Sequence, residues 1–176
     1  MISLLFFGGF GIIKRKKVVF GCGLPKKGVF MPNVAIKKLH ENAVIPTYGS
    51  EFSAGADLYA CNTEKITIES HKTVLVPTGL SMEIPEGYAG LIYARSGIAS
   101  KRGLAPANKV GVVDADYRGE VMVSLHNLSG VCQEIYEGER IAQLVIAPFL
   151  AAEFCETDEL SDTVRGEGGF GSTGKK

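Results

Sequence analysis

Three observations predict an all-β fold, a sandwich or barrel of short strands. Runs of branched and apolar residues recur from Pro32 to Phe149, separated by clusters of Gly, Pro, Asn, Asp and Ser. Glycine is abundant, 22 of 176 residues, which suits many turns and few long helices. A single short piece after Arg95-Ser96-Gly97, through Ile98-Ala99-Ser100-Lys101, reads as helix.

Taken in order, Val34-Ala35-Ile36 leads in, and Ala54 to Ala60 follows a polar loop. Lys65 to Ile68 and Thr73 to Leu80 alternate branched apolar with polar residues, the period of a half-buried strand. Tyr88 to Ala94, Val110 to Val113, Val121 to Asn127 and Ile141 to Phe149 complete the strand set. Gly111 to Glu120 reads as the junction of two strands in a hairpin, closed by a polar corner that holds Asp114, Asp116 and Tyr117. Taken on its own, that corner reads as an Asp-rich turn, since Asp and Gly are what turns are made of.

The two ends differ from the middle. Met1 to Ile13 is apolar and is followed by Lys14-Arg15-Lys16-Lys17, the reverse of a secretory signal's charge order, and it is short for a bilayer span. Residues 1–30 are expected to be an unstructured extension outside the fold, ahead of a start at Met31; a weak membrane-surface anchor is the other reading. The β-domain is expected over 31–164, and the Gly-rich stretch 165–176 is expected to be a mobile arm.

Charge excludes one partner class. Lys+Arg and Asp+Glu balance at 19 each, so no net basic character announces nucleic acid. Cys22, Cys61, Cys132 and Cys155 are scattered, with no C-x-x-C pair, which disfavours a zinc site or disulfide framework and suits a reducing cytoplasm. His40, His71 and His126 are equally dispersed.

Four further stretches carry polar groups in places that ask for a reason. Arg95-Ser96-Gly97 at a helix start is either an anion site or a Ser N-cap beside a surface arginine. Asp57 is a carboxylate set in a strand, expected to pair with a cation or arginine. Gln143, flanked by apolar residues, is a satisfied core amide or faces a ligand. The tail at 165–176 matches G-x-G-x-x-G and the start of a P-loop, but no helix follows and Lys176 stands where a P-loop needs Ser or Thr. Its remaining chemistry is an Arg, a Phe, two hydroxyls and backbone N–H groups, suited to ordering over a nucleotide.

Together these stretches resemble the trimeric dUTPase family in five ordered motifs: AGADLYA at 54–60, ARSGIASKRG at 94–103, NKVGVVDADYRGEV at 108–121, GERIAQL at 138–144 and RGEGGFGSTG at 165–174. The resemblance runs from Met31 to Lys176. It implies a jelly-roll-like β-clip subunit, a homotrimer with active sites at subunit interfaces, and cleavage of dUTP to dUMP and pyrophosphate with Mg2+. It implies that Asp114 deprotonates the attacking water, and that Asp57 serves the metal's outer shell through water. It implies phosphate contacts from Arg95, Ser96, Gly97 and Gln143. Asn108, with the backbone from Gly111 through Val113 to Asp114, would read uracil, and Tyr117 would lie beneath the deoxyribose. In a closing arm from a neighbouring subunit, Phe170 would cover the uracil, and Arg165, Gly171, Ser172 and Thr173 would serve the phosphate end. The family often has Pro where this chain has Ala94, a difference in stiffness more than chemistry.

Two rivals are weighed against this reading. A dCTP deaminase shares the fold but needs a glutamate near C4 and a different base-reading segment. A catalytically silent nucleotide-binding trimer would be expected to have lost Asp114 or Arg165, and both are present.

Overall fold

The computed structural model describes residues 31–169. In chain order the elements are β1 (Ala35–Lys38), β2 (Thr47–Tyr48), β3 (Ala56–Tyr59), β4 (Ile66–Ile68), β5 (Thr73–Glu83) and β6 (Tyr88–Tyr93). Then follow α1 (Ser96–Arg102), β7 (Leu104–Pro106), β8 (Gly111–Val113), β9 (Glu120–Asn127), β10 (Gln133–Ile135) and β11 (Arg140–Pro148). The all-β expectation with one short helix holds.

The strands form a four-stranded sheet, β1-β5-β9-β7, and a five-stranded sheet, β2-β3-β11-β6-β8, with β10 and β4 as a separate pair. Every pairing among the described residues is antiparallel, and no sheet closes into a barrel. One hydrophobic cluster unites both large sheets: Val76, Leu80, Leu104, Val123 and Leu125 come from the first, and Leu58, Ile92, Val113 and Leu144 from the second. Alternation does the sorting. On β9, Val121, Val123 and Leu125 are buried while Met122 between them is exposed. Each such buried branched side chain contributes on the order of 1.5–3 kcal/mol.

The hairpin expected at Gly111–Glu120 is not formed. β8 pairs with β6 in the five-stranded sheet, whereas β9 pairs with β5 and β7 in the four-stranded one. The residues between them, 114–119, therefore form a corner that carries the chain from one sheet to the other. Val112 pairs with Leu91 in one sheet and Met122 with Pro77 in the other, while Val113 and Val121, on either side of the corner, are both buried in the shared core.

Two register shifts shape the neighbourhood of the motifs. β11 shifts register against β3 between Arg140 and Ala142, which leaves Ile141 and Ala142 buried in succession. β5 shifts against β9 between Pro77 and Ser81. Asn127 is fully buried and meets four partners: its amide donates to the Ile68 and Val131 carbonyls, and its oxygen accepts from Ser129 N–H and Oγ.

Candidate active site

The corner after β8 opens onto a cavity of about 270 Å³ whose lining includes Asn108, Gly111, Val113, Asp114, Tyr117 and Glu120. Among the described residues β8 is the last strand of its sheet, so one of its edges pairs with β6 and the other has no strand partner there. Gly111 faces Ile92 across that pairing; a Cβ there would stand 3.2 Å from Ile92 Cβ and 3.4 Å from Asn108 Nδ2. Asn108 is presented by a turn in which Lys109 N–H donates to the Pro106 carbonyl at 3.0 Å. Lys109 itself takes φ 66°, a conformation that costs a side-chain-bearing residue about 1 kcal/mol or more.

The corner is bound to itself. Tyr117 N–H donates to the Asp114 carbonyl at 3.2 Å. Arg118 Nη1 donates to the carbonyls of Ala115 at 2.6 Å and Tyr117 at 3.0 Å. Tyr117 Oη donates to the Glu120 carbonyl at 3.0 Å. Its ring occupies the space a side chain at Gly119 would need, since a Cβ there would stand 2.3 Å from Oη. The Asp114 residue is exposed, with its carboxylate free to meet solvent.

A second cluster gathers on the other side of β6. Asp57, buried in the middle of β3, accepts from Arg95 Nε at 2.6 Å on Oδ1 and from Arg140 Nη1 at 3.2 Å on Oδ2. The expected arginine partner is thus present twice over. Gln143 stands opposite Asp57 on β11 and donates through Nε2 to the Ala94 carbonyl at 2.8 Å. Gly55 makes room for it: a Cβ there would lie 2.5 Å from Gln143 Oε1. The amide therefore joins β11 to the end of β6 and keeps one N–H beyond that bond.

At the helix start the Ser N-cap reading is corrected. Arg95 occupies the N-cap position with extended backbone and makes no side-chain cap, while Ser96 is the first helical residue. The Arg95 guanidinium is instead held by Asp57. Ser96 and Gly97 are exposed. The far end of α1 is fastened as well: Arg102 Nε donates to Gln133 Oε1 at 3.0 Å, and its other nitrogens reach Glu139 and the Glu134 carbonyl.

Arg165 is exposed and donates through Nε to the Gly168 carbonyl at 2.7 Å. Phe170, Gly171, Ser172 and Thr173 lie outside the described residues. The corner's cavity does not include Asp57, Arg95 or Gln143, so the expected residues gather as two clusters. Another cavity, about 590 Å³, is lined elsewhere by Cys61, Asn62, Glu64 and Glu137 among others. Burial first, then the Glu137 and Glu120 carboxylates, push the Cys61 thiol up, which keeps it protonated and a poor nucleophile.

Among the described residues no group of three His, Cys, Asp or Glu side chains could hold a metal. Both Asp57 oxygens already face arginines. This donor set fits an ion that arrives on phosphate oxygens and keeps its waters, one of which Asp57 could accept from. It does not fit a protein-built cage.

The dUTPase family model matches residues 41–174. The chain belongs to the dUTPase family. Curated relatives named deoxyuridine 5'-triphosphate nucleotidohydrolase include one from Hydrogenobaculum, 48% identical over 141 residues, and one from Nautilia profundicola, 50% identical over 140 residues; each match covers 80% of this chain and 97% of the relative. Among solved structures, the dUTPase of Staphylococcus bacteriophage 80alpha with dUpNHpp is 30% identical, with a TM-score of 0.74, covering 81% of this chain and 99% of that one. A mutant dUTPase of phage phi11 of S. aureus, described with a structural Mg(II) ion, is 27% identical with a TM-score of 0.65, covering 72% and 97%.

Reading the sequence left four contributors without a role: Arg140, Arg118, Glu120 and Gly119. All four stood inside quoted motifs, and Arg140 immediately precedes the buried pair Ile141 and Ala142, at the exposed end of its strand. The others act through backbone carbonyls or empty space, for which a sequence carries no pattern.

Proposed function

We propose that the chain hydrolyses dUTP to dUMP and pyrophosphate, and that it does so as a homotrimer whose sites lie at subunit interfaces. The single observation that carries this reading is the cavity at the free edge of β8, where Asn108, Gly111, Val113, Asp114 and Tyr117 meet. An unpaired strand edge offers N–H and C=O groups in fixed alternation, the hydrogen-bonding counterpart of a uracil edge. Cytosine inverts donor and acceptor at that edge and leaves buried groups unpaired, and close packing leaves no room for thymine's methyl. The Tyr117 ring, tied by its hydroxyl to Glu120, lies under the deoxyribose and crowds a 2′-hydroxyl.

Asp114 is the general base: its exposed carboxylate takes a proton from the water that attacks the α-phosphorus in line with the leaving pyrophosphate. Arg95, Ser96 and Gly97 hold the α- and β-phosphates, helped by the spare N–H of Gln143. Asp57 would accept from a water of Mg2+ carried on the triphosphate, an ion that would supply charge neutralisation there.

Two features support the trimer. The base-reading and phosphate-binding residues fall into separate clusters of one chain, so a neighbour would complete each site. Leu75, Val112 and Met122 rim the base cavity while exposed, and Phe149, Leu150, Phe154, Leu160 and Val164 are exposed along the segment beyond β11. Apolar surface of this extent marks an interface. On this reading 31–164 is the β-domain, and 165–176 is an arm from a neighbour that brings Arg165, Phe170, Gly171, Ser172 and Thr173 over the nucleotide and excludes water. Among the described residues no helix is long and apolar enough to cross a membrane, and we assign the enzyme to the cytoplasm, where it would keep uracil out of DNA and supply dUMP for dTMP synthesis.

The test is pyrophosphate release from dUTP, dCTP, dTTP and UTP in parallel, with magnesium and then with a chelator. Release from dUTP alone, lost on chelation, is expected. Formation of a uracil nucleotide from dCTP would replace this reading with a deaminase, and tight dUTP binding without release would leave a silent trimer.

A further inference from the structure

β5 and β9 part company where the corner enters the four-stranded sheet. Pro77 faces Met122, but the next paired residues are Ser81 and Glu120, so three residues of β5 span one of β9. Side chains replace the missing ladder bonds. Thr78 Oγ1 donates to the Val121 carbonyl at 2.5 Å, and Ser81 Oγ donates to the Arg118 carbonyl at 2.7 Å. Between them, Gly79 N–H donates to Glu120 Oε1 at 2.7 Å.

Gly79 is held in that pose twice over. Its φ is +67°, and a Cβ there would stand 2.8 Å from Cys61 Sγ and 2.9 Å from Ala43 Cβ. Its N–H is therefore a fixed donor, and the acceptor that meets it determines where the start of β9 lies. That acceptor belongs to the same residue whose carbonyl receives the Tyr117 hydroxyl, and Glu120 also lines the base cavity.

We infer that Glu120 is a positioning residue for sugar discrimination. Its carboxylate pegs its own peptide to Gly79, and its carbonyl in turn sets where the Tyr117 ring stands. This role rests on the dUTP reading above. A merely structural peg would lower stability and leave the choice between dUTP and UTP unchanged.

The experiment compares kcat/KM for dUTP and for UTP in wild-type protein, Glu120→Ala and Glu120→Gln, with circular dichroism and thermal melts to report folding. Gln keeps an oxygen that can accept from Gly79, so it is the rescue variant. Glu120→Ala is expected to lose roughly tenfold of the preference for dUTP over UTP while still releasing pyrophosphate. Glu120→Gln is expected to stay within about twofold of wild type. Ser81→Ala, which removes the bond to the Arg118 carbonyl, should shift the preference the same way by less, and it decides the matter if Glu120→Ala does not fold. An unchanged preference in these Ala variants, or a Gln variant as impaired as Ala, overturns the role. Wild-type protein that does not hydrolyse dUTP overturns the functional reading and this role together. Wild-type protein that prefers dUTP, beside an unaffected Glu120→Ala, overturns this role alone.

Discussion

The corner from Asn108 to Glu120 and the cluster around Asp57 are built by opposite means. The corner is held by backbone carbonyls: Arg118 binds those of Ala115 and Tyr117, Tyr117 binds that of Glu120, and Ser81 binds that of Arg118. The Asp57 cluster is held by charge, one carboxylate between two guanidinium groups. The difference teaches what each can recognise. Fixed carbonyls and a free strand edge define shape and hydrogen-bond direction, the needs of a neutral base. Arginines already neutralised by an aspartate are held in place before an anion arrives, so little order is lost when a phosphate binds.

The largest expected effect separates chemistry from binding at the corner. Asp114→Asn keeps the shape and the hydrogen-bonding outline but removes the base. Turnover of dUTP is expected to fall by roughly 3 kcal/mol or more in barrier, on the order of a hundredfold, with binding of a non-hydrolysable dUTP analogue retained. Calorimetric titration beside single-turnover kinetics measures both. Near-normal turnover would remove Asp114 from the mechanism.

The charged cluster should respond differently. Asp57→Asn leaves Arg95 and Arg140 facing a neutral amide in a mostly buried place. Stability is expected to fall by about 2 kcal/mol, between the exposed and fully buried limits for losing one partner, and the KM for dUTP to rise with it. Urea denaturation gives the first quantity and steady-state kinetics the second. A variant as stable as wild type would mean that the two arginines are not held by this carboxylate.

Next in size is the arm. Deleting Gly166 to Lys176 is expected to preserve the assembly by analytical ultracentrifugation while lowering kcat on the order of tenfold, as closure over the site is lost. Full-rate hydrolysis by the truncated protein would end the closing-arm reading.

The two regions were also unequally legible in the sequence. The strands were readable because half-buried strands alternate, as Val121, Val123 and Leu125 do around Met122. The short β2, β7 and β10 left no period to detect, being two or three residues long. Asp57 announced its need for a cation because a carboxylate inside an apolar strand has few other ways to be buried. The identity of the partners was hidden, since Arg95 and Arg140 lie 38 and 83 residues away. At the corner, the turn residues were plain, but whether they close a hairpin or cross between sheets is decided by what the flanking strands pack on. Val113 and Val121 settle that in three dimensions, where a one-dimensional pattern treats them alike.

The smallest effect probes how the corner presents Asn108. Lys109 holds φ 66° in the turn that ends at Val110, and glycine adopts that conformation without the Cβ penalty. Lys109→Gly is therefore expected to raise stability by about 0.5 kcal/mol, or roughly 1–2 °C in the melting temperature. The same freedom lets Asn108 move, because the glycine turn no longer has a side chain restricting its backbone. The KM for dUTP should rise by about twofold while kcat holds, a split expected when binding alone is loosened. Thermal melts and steady-state kinetics on one preparation measure both. A gain in stability with no change in KM would show that the strain at Lys109 is incidental to base reading. A loss of stability would show that the Lys109 side chain contributes more to the turn than its backbone conformation costs.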